Sequence, residues 1–204
     1  MINNAAEQLP VVEEFGSLQG EGFHTGEAVW FIRLGGCDTG CPWCDTAYAR
    51  EVGSAQMMSV SDIVSHAVQS GIGRVVITGG EPSMHPLEAL TEALHKEGVA
   101  ILLETSGTHT LQGSFDWICL SPKRVKAPQA DVFARADELK IVVAADDDLL
   151  WAEECAAKVR MECRLFLQPE WGARTKALPM IVEYIKRNPR WRLSLQTHKY
   201  INIR

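Results

Sequence analysis

No apolar run in this 204-residue sequence approaches the length that crosses a membrane. The opening MINNAAEQLPVVEEF has neither the basic start nor the apolar stretch of a secretory signal. A cytosolic location is expected. There is no excess of positive charge either: 20 Lys and Arg stand against 26 Asp and Glu, a net charge of -6, so neither a nucleic-acid surface nor a polybasic membrane contact is expected. Internal repeats, low-complexity tracts and Pro/Gly-rich linkers are lacking. Residues 1–204 therefore read as one domain with a sizeable core. Two chemical signatures are missing as well, the phosphate loop G-x4-G-K-S/T and a second C-x2-C or H-x3-H pair that would complete a zinc site.

What is present is an alternation of two patterns. Short, nearly continuous apolar runs at 10–17, 28–34, 74–78, 99–104, 117–121, 138–143, 164–169 and 192–196 read as strands covered on both faces. Between them, 59–71, 86–98, 146–160 and 174–188 carry helical period. The first has Ser59 or Ser61 as N-cap, an apolar stripe of Ile63, Val64, Ala67 and Val68, and Gly71 as stop. Pro179 moves the expected start of the last to Leu178. The alternation predicts an α/β fold with a mainly parallel, curved sheet. Six or seven strands from AVWFIRL onward are too few for a closed eight-stranded barrel, so an incomplete, TIM-like one is expected.

Of six cysteines, Cys119, Cys155 and Cys163 are dispersed among apolar neighbours, as small buried hydrophobes are. Cys37, Cys41 and Cys44 form C-x3-C-x2-C directly after the strand AVWFIRL and the turn Gly35-Gly36. A structural zinc would need a fourth ligand, Asp45 or a distant His, and an electron-transfer cluster a fourth thiolate. Three thiolates on a tight loop suit a 4Fe–4S cluster with one iron left open to an exogenous ligand. The loop follows a strand, which puts it on the C-terminal rim where α/β active sites lie.

Other polar motifs end strands on the same rim: TGGEP (78–82), ETSG (104–107), SPK (121–123) and QPE (168–170). Each alone is an ordinary strand-to-helix loop; four of them converging on one rim suggest a site. SLQGEG (17–22) is by itself a Gly-rich turn, although Gln19 and Glu21 offer the donor and acceptor groups that read a heteroaromatic edge. Arg33 is the oddity of an apolar strand. It is either an edge residue or a bidentate grip on a carboxylate. Thr46 or Asp45 suits an N-cap, or a hard-oxygen contact to Mg2+. His24, His66, His85, His95 and His109 show no ligand spacing and read as surface or loop residues.

The cysteine loop resembles that of the radical S-adenosylmethionine enzymes. Together with SLQGEG, FIRLGGC, PWCDT, TGGEP, ETSG, SPK and LQTHK, the sequence from about Ser17 onward resembles the 7-carboxy-7-deazaguanine synthase family. The resemblance implies that Cys37, Cys41 and Cys44 hold the cluster. It implies that Trp43, Cys44, Asp45, Gly80, Ser121, Pro122, Lys123, Gln168, Pro169 and Glu170 surround S-adenosylmethionine. Leu18, Gln19, Gly20, Glu21, Arg33, Thr78, His198 and the C-terminal Arg204 are implied as substrate contacts, and Thr46 as a Mg2+ ligand. The implied reaction is a radical ring contraction of 6-carboxy-5,6,7,8-tetrahydropterin to 7-carboxy-7-deazaguanine with loss of ammonia and regeneration of the cofactor. A flavodoxin-type electron donor and a homodimer are implied with it. A glycyl-radical activase would share the cysteine loop but give SLQGEG, Arg33 and LQTHK no role. A non-catalytic zinc or iron–sulfur module would need no TGGEP.

Overall fold

Alternation along each strand sorts this chain into two faces. The computed structural model describes residues 7–204. Nine strands form one sheet: β1 (Gln8–Leu18), β2 (Ala28–Leu34), β3 (Gln56–Ser59), β4 (Arg74–Gly79), β5 (Ala100–Thr105), β6 (Trp117–Leu120), β7 (Glu138–Val143), β8 (Arg164–Pro169) and β9 (Trp191–Leu193). Their order is β3-β1-β2-β4-β5-β6-β7-β8-β9. From β2 through β9 every pairing is parallel, whereas β1 lies antiparallel to both β2 and β3. The sheet does not close, and the fold is an incomplete, TIM-like β/α barrel.

The helices are α1 (Val60–Gln69), α2 (Glu88–Lys96), α3 (Ala130–Arg135), α4 (Asp146–Ala156), α5 (Arg174–Arg187) and α6 (Thr197–Ile201). Ile32 and Leu34, Val75 and Ile77, Ile101 and Leu103, Leu139, Ile141 and Val143, and Leu165 and Leu167 project from the strands into one large core. Ile63 and Ala67 of α1, Leu90 and Leu94 of α2, Ala152 of α4 and Ile181 of α5 complete it. The alternate positions make a second, smaller apolar group of Val29, Val76 and Leu102 with Phe31 and Trp117 against it. They also include Arg33, Glu104, Cys119, Glu138 and Lys140. The strands are therefore apolar towards the helices and mixed towards the inside of the sheet. Functional side chains come from the inner face.

Ser59 caps α1, its Oγ accepting from the Asp62 N–H at 3.1 Å, and Gly71 follows at φ +71°. Val68, expected in the buried stripe, is 43% exposed. Helix α4 ends at Ala156, so the basic residues Lys158 and Arg160 fall beyond it; its acidic start is used by Asp148, which accepts from the Ala144 and Ala145 N–H groups. Helix α5 begins at Arg174, not Leu178, and runs through Pro179. The turn ahead of the proline is already closed, because Glu170 accepts from the Gly172 and Ala173 N–H groups and Ala177 N–H donates to the Ala173 carbonyl. Pro179 then forfeits only the bond to the carbonyl of Thr175. Strands β3 and helices α3 and α6 lie outside the elements expected from periodicity.

Candidate active site

The loop after β2 carries the three cysteines and is pinned from several sides. Gly36 N–H donates to the Ala49 carbonyl, Cys37 N–H to the Arg50 carbonyl, and the Arg50 guanidinium to the Cys41 carbonyl. Asp38 is held by Lys126 at 2.5 Å and His109 at 3.0 Å. His85 hydrogen-bonds the Gly35 carbonyl at 2.8 Å beneath the loop, a bond that the sequence pattern does not show. TGGEP lies directly against it: Gly80 N–H donates to the Leu34 carbonyl and Glu81 N–H to the Gly36 carbonyl. A Cβ on Gly80 would stand 2.2 Å from the Gly36 oxygen. The glycine thus serves close backbone approach.

Glu81 was not singled out by sequence reasoning, and it ties three segments together. It is 1% exposed. Its carboxylate accepts from Ser83 N–H at 3.0 Å, Ser83 Oγ at 2.6 Å and Ser106 N–H at 2.7 Å, and from the hydroxyls of Thr105 and Ser106. GGEP and ETSG are therefore one structure, which touches the cysteine loop where Thr39 meets Ser106 at 3.4 Å.

These loops surround a cavity of about 300 Å3. Its wall includes all three cysteines, Trp43, Asp45, Thr46, Gly80, Ser121, Lys123, Gln168, Pro169 and Glu170. Pro122 stands on the wall of an adjoining cavity of about 100 Å3 that shares Trp43, Lys123 and Glu170. Every residue implied for S-adenosylmethionine is thereby brought together. Lys123 donates to Ser121 Oγ at 2.7 Å and lies 5.3 Å over the Trp43 ring. Burial draws its pKa down from the usual lysine range. Burial, with the thiols of Cys37 and Cys44, pushes the Cys41 thiol up, while Lys123 and Arg50 act against this.

The donor set fits a cluster. Cys37, Cys41 and Cys44 all line the 300 Å3 cavity. In a 4Fe–4S cluster each thiolate takes a different iron, which asks for an open set of sulfurs facing one space. The other cysteines are buried, and burial pushes Cys155 to about 11 and Cys163 to about 12, ranges in which a thiol is inert at neutral pH.

A third cavity, about 160 Å3, adjoins the first through Glu21, Asp45, Thr46 and Glu104. Leu18, Gln19, Gly20, Glu21, Arg33, His198 and Arg204 line it. Thr78 stands beside Arg33 in the β2–β4 register and is not on this wall. The cavity exists because two distant segments dock. Thr197 N–H and Oγ1 both donate to the Gly20 carbonyl, and a Cβ on Gly20 would collide with the His198 ring at 2.1 Å. Asp45 accepts from Lys199 at 2.8 Å and Gln196 at 3.1 Å, which joins the cysteine loop to α6. Burial lowers the His198 pKa, favouring a neutral ring.

Arg33 is not free. Its Nε donates to Glu13 at 2.7 Å, and Tyr48 donates to the same carboxylate at 2.9 Å. The Arg204 guanidinium binds the other Glu13 oxygen and lies over the Phe15 ring. Below, the β1–β2 loop folds under the starts of β6 and β7. Phe23 stacks on Trp117 at 4.8 Å, and Glu138 accepts from Phe23 N–H at 3.1 Å and Trp117 Nε1 at 3.2 Å. Lys140, outside every motif read from the sequence, meets Glu104 of ETSG and, through Glu21, Gln196 of LQTHK at the wall between the two larger cavities.

A strand-ending loop of three cysteines, with the GGEP turn against it and the SPK turn on the same cavity at the rim of a mainly parallel, unclosed sheet, defines a radical S-adenosylmethionine protein, and residues 31–125 match the Radical SAM superfamily. Near-full-length relatives narrow this. The chain is 45% identical to the 7-carboxy-7-deazaguanine synthase of Flavobacterium psychrophilum, over 97% of this chain and 93% of that one. It is 47% identical to that of Synechocystis sp., over 96% and 93%. The crystal structure of QueE from Escherichia coli superposes with a TM-score of 0.84 at 33% identity, covering 94% of this chain and 95% of that one. This chain belongs to the 7-carboxy-7-deazaguanine synthase family.

Proposed function

We propose that the chain is a radical S-adenosylmethionine lyase that contracts the ring of 6-carboxy-5,6,7,8-tetrahydropterin to 7-carboxy-7-deazaguanine with loss of ammonia, in queuosine and 7-deazapurine biosynthesis. The observation that carries this reading is the union of two family motifs at one place. SLQGEG and the THK turn of α6 dock on each other through Gly20, Thr197 and His198, and so build the 160 Å3 cavity against the cysteine loop. An activase or a structural metal module has no use for that cavity.

Cys37, Cys41 and Cys44 would hold the cluster, with S-adenosylmethionine in the 300 Å3 cavity that they face. When bound, this pair supplies one-electron cleavage and hydrogen abstraction. The chain's own task is placement and exclusion of water. Trp43 and Trp171 wall the cofactor cavity, and Gln19, Glu21 and His198 present hydrogen-bonding groups to the pterin. Arg33 and Arg204, both on Glu13, form the cationic end of the substrate cavity and suit its carboxylate. Thr46, on the walls of both cavities, is the proposed Mg2+ contact, a single hard oxygen of the kind a hydrated Mg2+ takes. Thr78 would act through its neighbour Arg33.

The reading of residues 1–204 as one domain is supported by a single sheet that includes every strand; residues 1–6 lie outside the described part. No described helix is long and apolar enough to cross a membrane. A cytoplasmic location is the expectation drawn from the sequence, whereas a flavodoxin-type donor and a homodimer rest on the resemblance. The test is equilibrium binding of 6-carboxytetrahydropterin to the anaerobically reconstituted protein. Saturable binding that requires Arg33 is expected; indifference to the pterin would point to the activase reading.

A further inference from the structure

The inner face holds a buried cation to which the activity, as described so far, gives no part. Lys140, in the middle of β7, is 3% exposed. Its Nζ lies 2.7 Å from Glu21 Oε2 in the β1–β2 loop and 2.9 Å from Glu104 Oε2 in β5. Each carboxylate has a second partner on its other oxygen: Gln196 donates to Glu21 Oε1 at 2.8 Å, and Gln19 to Glu104 Oε1 at 3.1 Å. Both carboxylates line the two larger cavities, so they form part of the partition between cofactor and substrate spaces.

We propose that Lys140 is a positioning residue for the substrate: its one ammonium holds the carboxylates of Glu21 and Glu104 side by side, so that their remaining lone pairs form a paired acceptor edge for the N–H donors of an aminopyrimidinone ring. This deepens the pterin reading and rests on it. An ionised carboxylate offers about four acceptor sites, so each keeps capacity after its bonds to Lys140 and an amide. The three groups together carry one negative charge. That favours a neutral, donor-rich ring edge and repels a carboxylate, which leaves the substrate's own carboxylate to the Arg33 end. Glu138 and Cys119 face the same ammonium from β7 and β6, and the Lys123 ammonium, the Asp45 carboxylate and the His198 ring also lie near the group. Burial alone would lower the Lys140 pKa, but the surrounding carboxylates of Glu104 and Glu21 hold it above the usual lysine range, so it remains a cation.

The test is steady-state turnover and cofactor binding in Lys140→Met, with the wild type measured alongside. Without the ammonium, two buried carboxylates face each other and one takes up a proton. The substrate KM is expected to rise about tenfold or more, with kcat changed by less than about threefold and S-adenosylmethionine affinity unchanged. The KM is also expected to fall with rising pH between about 6 and 8 more steeply than in the wild type. Lys140→Met with Glu104→Gln removes the cation and one carboxylate together. It is expected to fold even if the single variant does not, with raised KM but no extra pH dependence. A wild-type KM in either variant would overturn the proposal, as would equal loss of cofactor and substrate binding in Lys140→Met. Failure of the wild type to bind the pterin would instead overturn the functional reading itself.

Discussion

Cys41 and Arg33 lie close in sequence and fail differently when removed. Cys41→Ala takes away a proposed cluster ligand, so iron content, the cluster's visible absorption and turnover should all be lost. Arg33→Ala leaves the loop intact and strands Glu13 with Tyr48 and Arg204 as partners. Cluster content should be unchanged, and kcat/KM for the pterin should fall about tenfold to a hundredfold, the value of a hydrogen-bonded charge contact. Wild-type kinetics at limiting and saturating substrate would rule out its assigned role. Glu138 makes a different prediction. Burial pushes its carboxyl up from 4.5 to about 7, although Lys140 opposes the shift. The folded protein therefore binds more protons than the unfolded chain between these values, so this group's contribution weakens as pH rises through the window and is constant above it. Glu138→Gln should gain stability relative to the wild type as pH goes from 5 to 8, by at most about 3 kcal/mol. A melting-temperature difference that stays constant with pH would contradict it. The cysteines were legible because their spacing is local. TGGEP and ETSG were legible as motifs, but the particular roles of Glu81, Glu104 and Lys140 were not, because they depend on partners in other segments: Ser106 for Glu81, Gln19 for Glu104 and Glu21 for Lys140.

At the scale of elements, apolar runs were enough to locate β2 and β4 to β8, because strands packed under helices must be apolar at alternate positions. Short elements with little apolar content escaped: QMMS of β3 is an edge strand, and THKYI of α6 buries no residue fully. Helix α6 exists because Gly20 and Asp45 anchor its first turn, and no sequence period encodes that contact. Helix α5 shows the reverse error. Pro179 reads as a boundary, yet the Glu170 cap and the Ala177–Ala173 bond start the helix upstream. The proline should therefore cost stability without defining the end of the helix. Pro179→Ala is expected to raise the unfolding free energy by about 1–3 kcal/mol, read by urea denaturation at unchanged m-value. A loss of stability would show that the proline is needed for the path of the chain.

For the whole molecule, the inward set of alternate strand positions matters most. The outward set fills a continuous apolar core, which leaves the inner face to hold buried charges, thiols and two adjoining cavities at one rim. The β/α alternation made that architecture legible, including its failure to close. The docking of the first hairpin loop on the last helix was not legible, since it joins Gly20 to Thr197. Both spaces must work together for the assigned chemistry. The most direct test is anaerobic turnover of the reconstituted protein with S-adenosylmethionine, Mg2+, a strong one-electron reductant and 6-carboxytetrahydropterin, with products identified by mass spectrometry. The account predicts 7-carboxy-7-deazaguanine in excess of any cofactor lost. Deoxyadenosine without the deazaguanine would contradict the substrate assignment, and neither product from a protein with an intact cluster would contradict the reaction itself.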